Sequence, residues 1–324
     1  MAVKILAPGL ATTVQDRGRL GCYDLGIPPG GSLDQYCAEL ASALVGNLAG
    51  EALLECTYMG PTLVSDAPAD VAVTGSVQVK VNGEPQLSWS RFALAPGDEL
   101  SFGLITGGAR FYIAFAGGID VPLVLGSRST YPLGVMGGFR GRKLEAGDII
   151  PVGVPAQAPP PGRAIAERFW PEYSRSQEIR VMLGLYDHRL SEAGIASLTT
   201  AQWKLTPVAD RAGLRYAGPG VQWRERVQPF GAGSDPSNIV DAGYAVGSIQ
   251  IPGGTQPIVL HRDAVSGGGY AMVATVISAD MDVVARAVPG TVTRFVPVDM
   301  DAALAARRER ADLLDQAKAS LDPE

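Results

Sequence analysis

Three polar clusters, each set in a glycine-rich turn, hold the residues of this chain that could do chemistry. In the first, Thr12-Thr13-Val14-Gln15-Asp16-Arg17-Gly18 is followed by Gly30-Gly31-Ser32-Leu33-Asp34. Gln15, Asp16 and Arg17 offer an amide, a carboxylate and a guanidinium on one turn, where glycine lets backbone approach a ligand closely. The same residues equally suit an Asp–Arg pair that locks a loop. The second cluster, Gly126-Ser127-Arg128-Ser129-Thr130-Tyr131 with Arg140 and Arg142 behind it, sets guanidiniums among hydroxyls. That pattern fits a two-pronged grip on a phosphate or carboxylate, or a solvated basic loop. The third runs from Gly231 to Asp241, where Asn238 and Asp241 stand three residues apart and read as a loop before a strand. An amide there can orient a planar ligand while the carboxylate accepts a proton. Asp235-Pro236-Ser237-Asn238 also forms a turn in its own right, so the bland reading stays open.

Other chemistries find no support. The chain contains no G-x-x-x-x-G-K-[ST], G-x-G-x-x-G, H-E-x-x-H or G-x-S-x-G, the signatures of a P-loop, a dinucleotide fold, a zincin and a hydrolase elbow. Three cysteines without C-x-x-C spacing and two distant histidines encode neither a disulfide framework nor a zinc site, so no metal is expected. His188 and His261 read as surface or strand residues, because no nucleophile turn lies near either. The net charge of −6 removes the broad attraction that nucleic acid or an anionic membrane requires. With no signal-like or membrane-spanning run in the sequence, a cytoplasmic protein is expected.

The elements that must position these clusters are mostly strands. Among 324 residues there are 40 glycines and 24 prolines without a repeat period, which marks many turns between short strands. Val71–Thr74 and Val77–Val81 read as strands, the latter closed by Asn82-Gly83, a pair suited to a type I′ hairpin. Arg110–Phe115, Ile179–Leu183, Ser248–Ile251, Ile258–Leu260 and Met272–Ile277 follow the same pattern. Helices are few: one opened by Ser32-Leu33-Asp34-Gln35 and stopped at Gly46-Asn47, two short ones over Ser191–Leu198 and Ala279–Ala287, and a surface helix over Asp301–Ala319. A proline-rich break at 154–162 and turn grammar echoed on both sides of it suggest two related β-rich halves. The expected division is 1–155, a linker at 156–178, 179–300, and a C-terminal helix and tail at 301–324.

At these residues the chain resembles a family. Thr12 to Arg19 with the later Gly-Gly-x-x-Asp, Leu125 to Tyr131, Asp210-Arg211-x-Gly213-Leu214-Arg215, and Gly247 to Gly253 through Thr275-Val276-Ile277 are similar to the biotin-dependent carboxyltransferase family. That family takes in the C-type subunit of 5-oxoprolinase, the KipA-like proteins, the second-subunit type of allophanate hydrolase and the carboxyltransferase region of urea carboxylase. The resemblance implies a mainly β fold of two cyclophilin-like β-barrel domains. It implies one of two chemistries. The first is ATP-dependent opening of 5-oxoproline to glutamate with two partners, a KipI-like B-type subunit and a lactam-hydrolase A-type subunit. The other is carboxyl transfer from carboxybiotin on a partner to an amide or ureido nitrogen. A regulatory partner of a KipI-like protein, without turnover of its own, is the third reading. Carried onto this sequence, the catalytic set is Asp241, Asn238 and Arg211, and the substrate-binding set is Gln15, Asp16, Arg17, Asp34, Arg128, Ser237, Gln250 and Gly268.

Overall fold

The computed structural model describes residues 1–156, 161–227, 230–231 and 233–321. Part of the proline-rich break (157–160), Ala232 of the third cluster and the last three residues of the tail lie outside them. The chain divides into two compact units, Met1–Leu20 with Gly30–Tyr173 and Ala311–Glu324, and Gly21–Pro29 with Ser174–Arg310.

The first unit is a nine-stranded antiparallel sheet with one whole helix and the end of the C-terminal helix. In chain order it holds β1 (Ala2–Ala7), β2 (Ala11–Gln15), α1 (Gln35–Leu44), β3 (Leu53–Thr57), β4 (Thr62–Ser65), β5 (Ala69–Val81), β6 (Glu84–Gln86), β7 (Arg91–Leu94), β8 (Glu99–Phe115) and β9 (Ile149–Pro151). The main path runs β2-β3-β8-β4-β1-β9, with β5 branching from β8. The two long strands β5 and β8 bend, and their register shifts around Gly75 and Ser76. The sheet curls into a half-barrel, because its path ends at β2 and β9 and no ladder joins them among the described residues. Asn82 and Gly83 both take positive φ, 51° and 86°, as the expected type I′ turn between β5 and β6 requires.

Helix α1 starts later than its capping-box spacing predicts. Asp34, not Ser32, caps it, accepting from the Cys37 amide at 3.0 Å, since Gly30 and Gly31 hold positive φ just upstream and keep that segment out of the helix. Its apolar stripe, Tyr36, Leu40, Ala41 and Leu44, packs with Trp89, Phe169, Leu314, Ala317 and Leu321. Two expectations are corrected here. Ile165 and Phe169, inside the expected linker, are buried, and the Ile165 amide donates to the Trp89 carbonyl at 2.8 Å. The C-terminal helix is no mere surface element, because Leu314, Ala317 and Leu321 form an apolar stripe at helical spacing.

The second unit is built on a closed seven-stranded barrel. Its elements are β10 (Ser176–Leu183), α2 (Glu192–Thr200), β11 (Trp203–Ala209), β12 (Gly213–Ala217), β13 (Asn238–Gly243), β14 (Ser248–Gln250), β15 (Ile258–Leu260), β16 (Gly267–Tyr270), β17 (Met272–Val276), α3 (Met281–Arg286), β18 (Val292–Pro297) and α4 (Met300–Ala319), whose last residues belong to the first unit. The barrel order is β10-β17-β14-β15-β12-β11-β18, closed by a parallel β18–β10 pair. Ile179, Trp203, Tyr216, Val259 and Phe295 fill its core, where the rings of Tyr216 and Phe295 meet edge to face at 5.5 Å. Strands β13 and β16 stand apart as a two-stranded ribbon.

Candidate functional site

In the first unit Asp16 follows strand β2 and faces inward. Its carboxylate accepts from the Gly18 amide (2.7 Å), the Ser127 hydroxyl (2.7 Å), the Ser129 hydroxyl and the Arg128 amide (2.6 Å). Four donors on one buried carboxylate fix the second polar cluster against the first. Arg19, also buried, braces the same loop through the carbonyls of Val124 and Ser129. The Arg128 guanidinium points back to the Val121 carbonyl (2.8 Å) and Asp120 (3.2 Å), and Arg142 grips Asp148 with two bonds of 2.8 and 2.9 Å. These arginines are occupied by the protein itself. Gln15 is fully buried; its amide nitrogen donates to Thr13 and to the Thr130 carbonyl, while its Oε1 has no hydrogen-bond partner.

A network absent from the sequence expectations lies beneath. Buried Glu55 on β3 accepts from the Leu33 amide (2.7 Å) and the Tyr112 hydroxyl (2.9 Å), with Arg110 at 3.8 Å, and Tyr112 in turn accepts from the Asp34 amide. Burial, with Glu55 and Asp34 beside it, holds the Tyr112 phenol well above its ordinary pKa, so it acts as a donor. A charged residue inside the apolar run Leu53-Leu54-Glu55-Cys56 was the available signal.

Beside α1 lies a cavity of about 150 Å³. Gln35, Ala38, Glu39, Ser42 and Ala43 line it from the helix, spaced i, i+3, i+4, i+7 and i+8, so one small and polar stripe faces it. Asp16, Arg17, Ser32, Asn47, Glu51 and Lys318 complete much of its polar wall. Arg17 and Lys318 both donate to the same Glu39 oxygen, at 2.9 and 2.7 Å. Burial alone would raise the Glu39 pKa; the bonds from Lys318 and Arg17 outweigh it and hold the carboxyl below its ordinary value. Sequence reading found Asp16 and Arg17 and held Ser32 within the same cluster, but missed Glu39 and Glu51, which the helical stripe could have shown in part, and Lys318, which no local pattern could.

In the second unit, the third cluster lies on the ribbon, not on a loop before a strand: Asn238 and Asp241 both belong to β13. The reason is pairing. Asn238 sits opposite Tyr270 and Ala242 opposite Gly268, with a register shift between them. Asp241 is exposed and Asn238 half-buried. The main-chain oxygen of Asn238 accepts from both Arg189 (2.9 Å) and Arg226 (2.7 Å), and burial together with Arg226 lowers the Arg189 pKa. Before the ribbon, Asp235 accepts from the Ser237 amide (2.9 Å) and hydroxyl (2.6 Å) and from the Gly253 amide (3.0 Å). These bonds overcome the upward push of burial and depress the Asp235 pKa. Ser237 is therefore buried within its own turn.

Arg211 pairs with buried Asp263 through two bonds, 2.8 and 2.9 Å, which fixes the turn holding His261. That histidine is buried at the end of β15 and not at the surface, and its Nδ1 accepts from the Arg262 amide at 2.9 Å. Gln250 is buried on β14 with its amide nitrogen unpartnered. At Gly268 a side chain would meet the Tyr244 ring at 3.1 Å, where the Tyr244 hydroxyl bridges the Tyr270 backbone. Among the described residues no group of three or more His, Cys, Asp or Glu side chains is placed to hold a metal, and no helix is long and apolar enough to cross a membrane.

Residues 25–297 match the family model described as carboxyltransferase domain, subdomain A and B. The chain is 32% identical over 315 residues to urea amidolyase of Lachancea kluyveri, a match covering 93% of this chain and 17% of that protein. It is 31% identical over 315 residues to the C-type subunit of 5-oxoprolinase from Escherichia coli (strain K12), covering 97% of each. Among solved structures, the crystal structure of the Kluyveromyces lactis urea carboxylase superposes with a TM-score of 0.92 at 33% identity, over 100% of this chain and 30% of that one. The chain thus spans less than a fifth of the urea amidolyase it matches. Matching fold, matching length of alignment and the family model agree: the chain belongs to the carboxyltransferase domain family, subdomains A and B.

Proposed function

We propose that this chain acts as the C-type subunit of an ATP-dependent 5-oxoprolinase-type complex in the cytoplasm, which hydrolyses a cyclic amide, 5-oxoproline, to glutamate. One observation carries the reading: the chain aligns with the Escherichia coli 5-oxoprolinase protein along 97% of both, at 31% identity. In this reading Asn238 orients the planar amide and Asp241, exposed on β13, accepts the proton of the attacking water. Arg211, paired with Asp263, serves by holding the turn around His261 and not as a free donor. The phosphate grip expected of Arg128 and Arg142 does not fit, since their guanidiniums already serve Asp120, Val121 and Asp148. ATP is accordingly assigned to the partners, a KipI-like B-type subunit and a lactam-hydrolase A-type subunit.

A second reading, carboxyl transfer from carboxybiotin on a partner to an amide or ureido nitrogen, is favoured by the close superposition on urea carboxylase. Reconstitution separates them. The complex with partners of the KipI and lactam-hydrolase types should release glutamate from 5-oxoproline only with ATP and only with this chain present. Asp241→Asn should lower that rate by about 10²- to 10⁴-fold, the usual loss for a general base. Full activity of the partners without this chain would overturn the reading in favour of a regulatory role. Carboxylation of an amide by carboxybiotin in its place would establish the second.

A further inference from the structure

We propose that the cavity beside α1 is a binding site for a small carboxylate that also carries an N–H donor, a molecule of amino-acid size. The choice of ligand class deepens the functional reading above and rests on it for its probes; the site itself rests on the following geometry. A cavity near 150 Å³ has the volume of an engineered apolar cavity that accepts benzene, so it has room for roughly six to ten heavy atoms. Its wall is partly apolar, through Ala38, Ala43, Leu48 and Leu53, and also carries polar groups. The Ser32 hydroxyl and Glu51 Oε2 are both buried and both lack a hydrogen-bond partner, and both residues line the cavity. Buried polar atoms in folded proteins are ordinarily satisfied, so two such atoms around one cavity mark groups that a guest completes. A carboxylate oxygen only accepts, so Glu51 calls for an N–H; a hydroxyl both donates and accepts, so Ser32 suits a carbonyl or carboxylate oxygen.

The cationic side of the wall selects the other end of the guest. Lys318 makes one bond, to Glu39, and an ammonium has three donors, which leaves two for an incoming carboxylate. The Arg17 guanidinium lies on the same Glu39 oxygen. Asp16, the other acid of the wall, is engaged with the 127–129 loop and does not compete for the guest's donors. Burial pushes the Glu51 pKa up, which lessens its repulsion of a guest carboxylate.

Titration calorimetry or ligand-observed NMR on the chain alone tests this, with 5-oxoproline and L-glutamate as probes, propionate as a carboxylate without N–H, and urea as an N–H donor without carboxylate. Saturable binding of 5-oxoproline or glutamate is expected, with propionate and urea at least about tenfold weaker. Ser32→Ala and Lys318→Met should each weaken binding about tenfold. Ser32→Ala should leave the melting temperature unchanged, because its hydroxyl has no partner to lose. No saturable binding of any probe at about 10 mM, equal binding of urea or propionate, or indifference to both substitutions would overturn the proposal. Binding by the chain without lactam opening by the complex defeats only the functional reading. Lactam opening by the complex, with no saturable binding of 5-oxoproline or glutamate by the chain, defeats only the cavity.

Discussion

Asp16 and Asp241 are both aspartates in glycine-rich polar segments, yet their surroundings give them opposite work. Asp16 satisfies two hydroxyls and two amides in a buried position, so Asp16→Ala leaves several buried donors without an acceptor. It should destabilise the first unit by roughly 3 kcal/mol or more, read from urea denaturation. Asp241→Asn, on an exposed strand position, should stay within about 0.5 kcal/mol of the parent in the same measurement. The glutamates of the cavity differ in a second way. Glu39 is held below its ordinary pKa, so its contribution is present above about pH 4.3 and is lost as pH falls through the depressed folded value. Glu51 is raised by burial, so its contribution is present below about pH 4.3 and is lost as pH rises through the raised folded value. Glu51→Gln should therefore raise the melting temperature at neutral pH, with the gain shrinking as pH falls toward 4. A gain that is the same at both ends of that range would show that ionisation of Glu51 is not its source.

At the scale of elements, what the sequence displays is what is local. Asn82-Gly83 announced its hairpin because the turn's backbone demand lies within those two residues. The capping signal before α1 was legible, and its register was missed because the glycine pair 30–31, not the hydroxyl of Ser32, decides where the helix begins. The ribbon β13–β16 was invisible, since only pairing with Tyr270 and Gly268 turns Asn238 to Gly243 into a strand. That one β unit closes fully and the other halfway was illegible for the same reason: closure depends on which edges meet, and no residue pattern states that. Two glycines make the contrast measurable. At Gly83, with φ near 86°, an added Cβ meets nothing within 4 Å, so Gly83→Ala carries only backbone strain of about 1 kcal/mol. At Gly75, with φ 126°, an added Cβ would stand 2.5 Å from the Phe111 Cβ, inside the β5–β8 ladder. Gly75→Ala should therefore cost about 3 kcal/mol or more in thermal denaturation. Equal costs at the two positions would mean that β5 and β8 are not locked as closely as this crossing requires.

For the whole molecule, the order of the chain and the order of its units are different things. The apolar stripe Leu314, Ala317, Leu321 is visible in the sequence, but the surface it covers begins almost 280 residues earlier, with Tyr36 and Leu40 of α1. Lys318 reaches Glu39 across the same separation. A protein ending at Arg310 would keep every strand of both units and lose this cover. Each buried leucine removed from a core costs about 2–5 kcal/mol, against a usual domain stability of about 5–15 kcal/mol, so the first unit should sit near its unfolding threshold while the barrel of the second keeps its core. Hydrogen exchange would show this as lost protection in β3, β8 and α1 with protection retained in β10, β17 and β18. The truncated chain should also lose the binding that the cavity confers, because Lys318 goes with the helix. Retained protection in α1 would mean that the helix stripe only covers the unit and contributes little to its stability, and the loss of Lys318 alone would then have to account for any loss of binding.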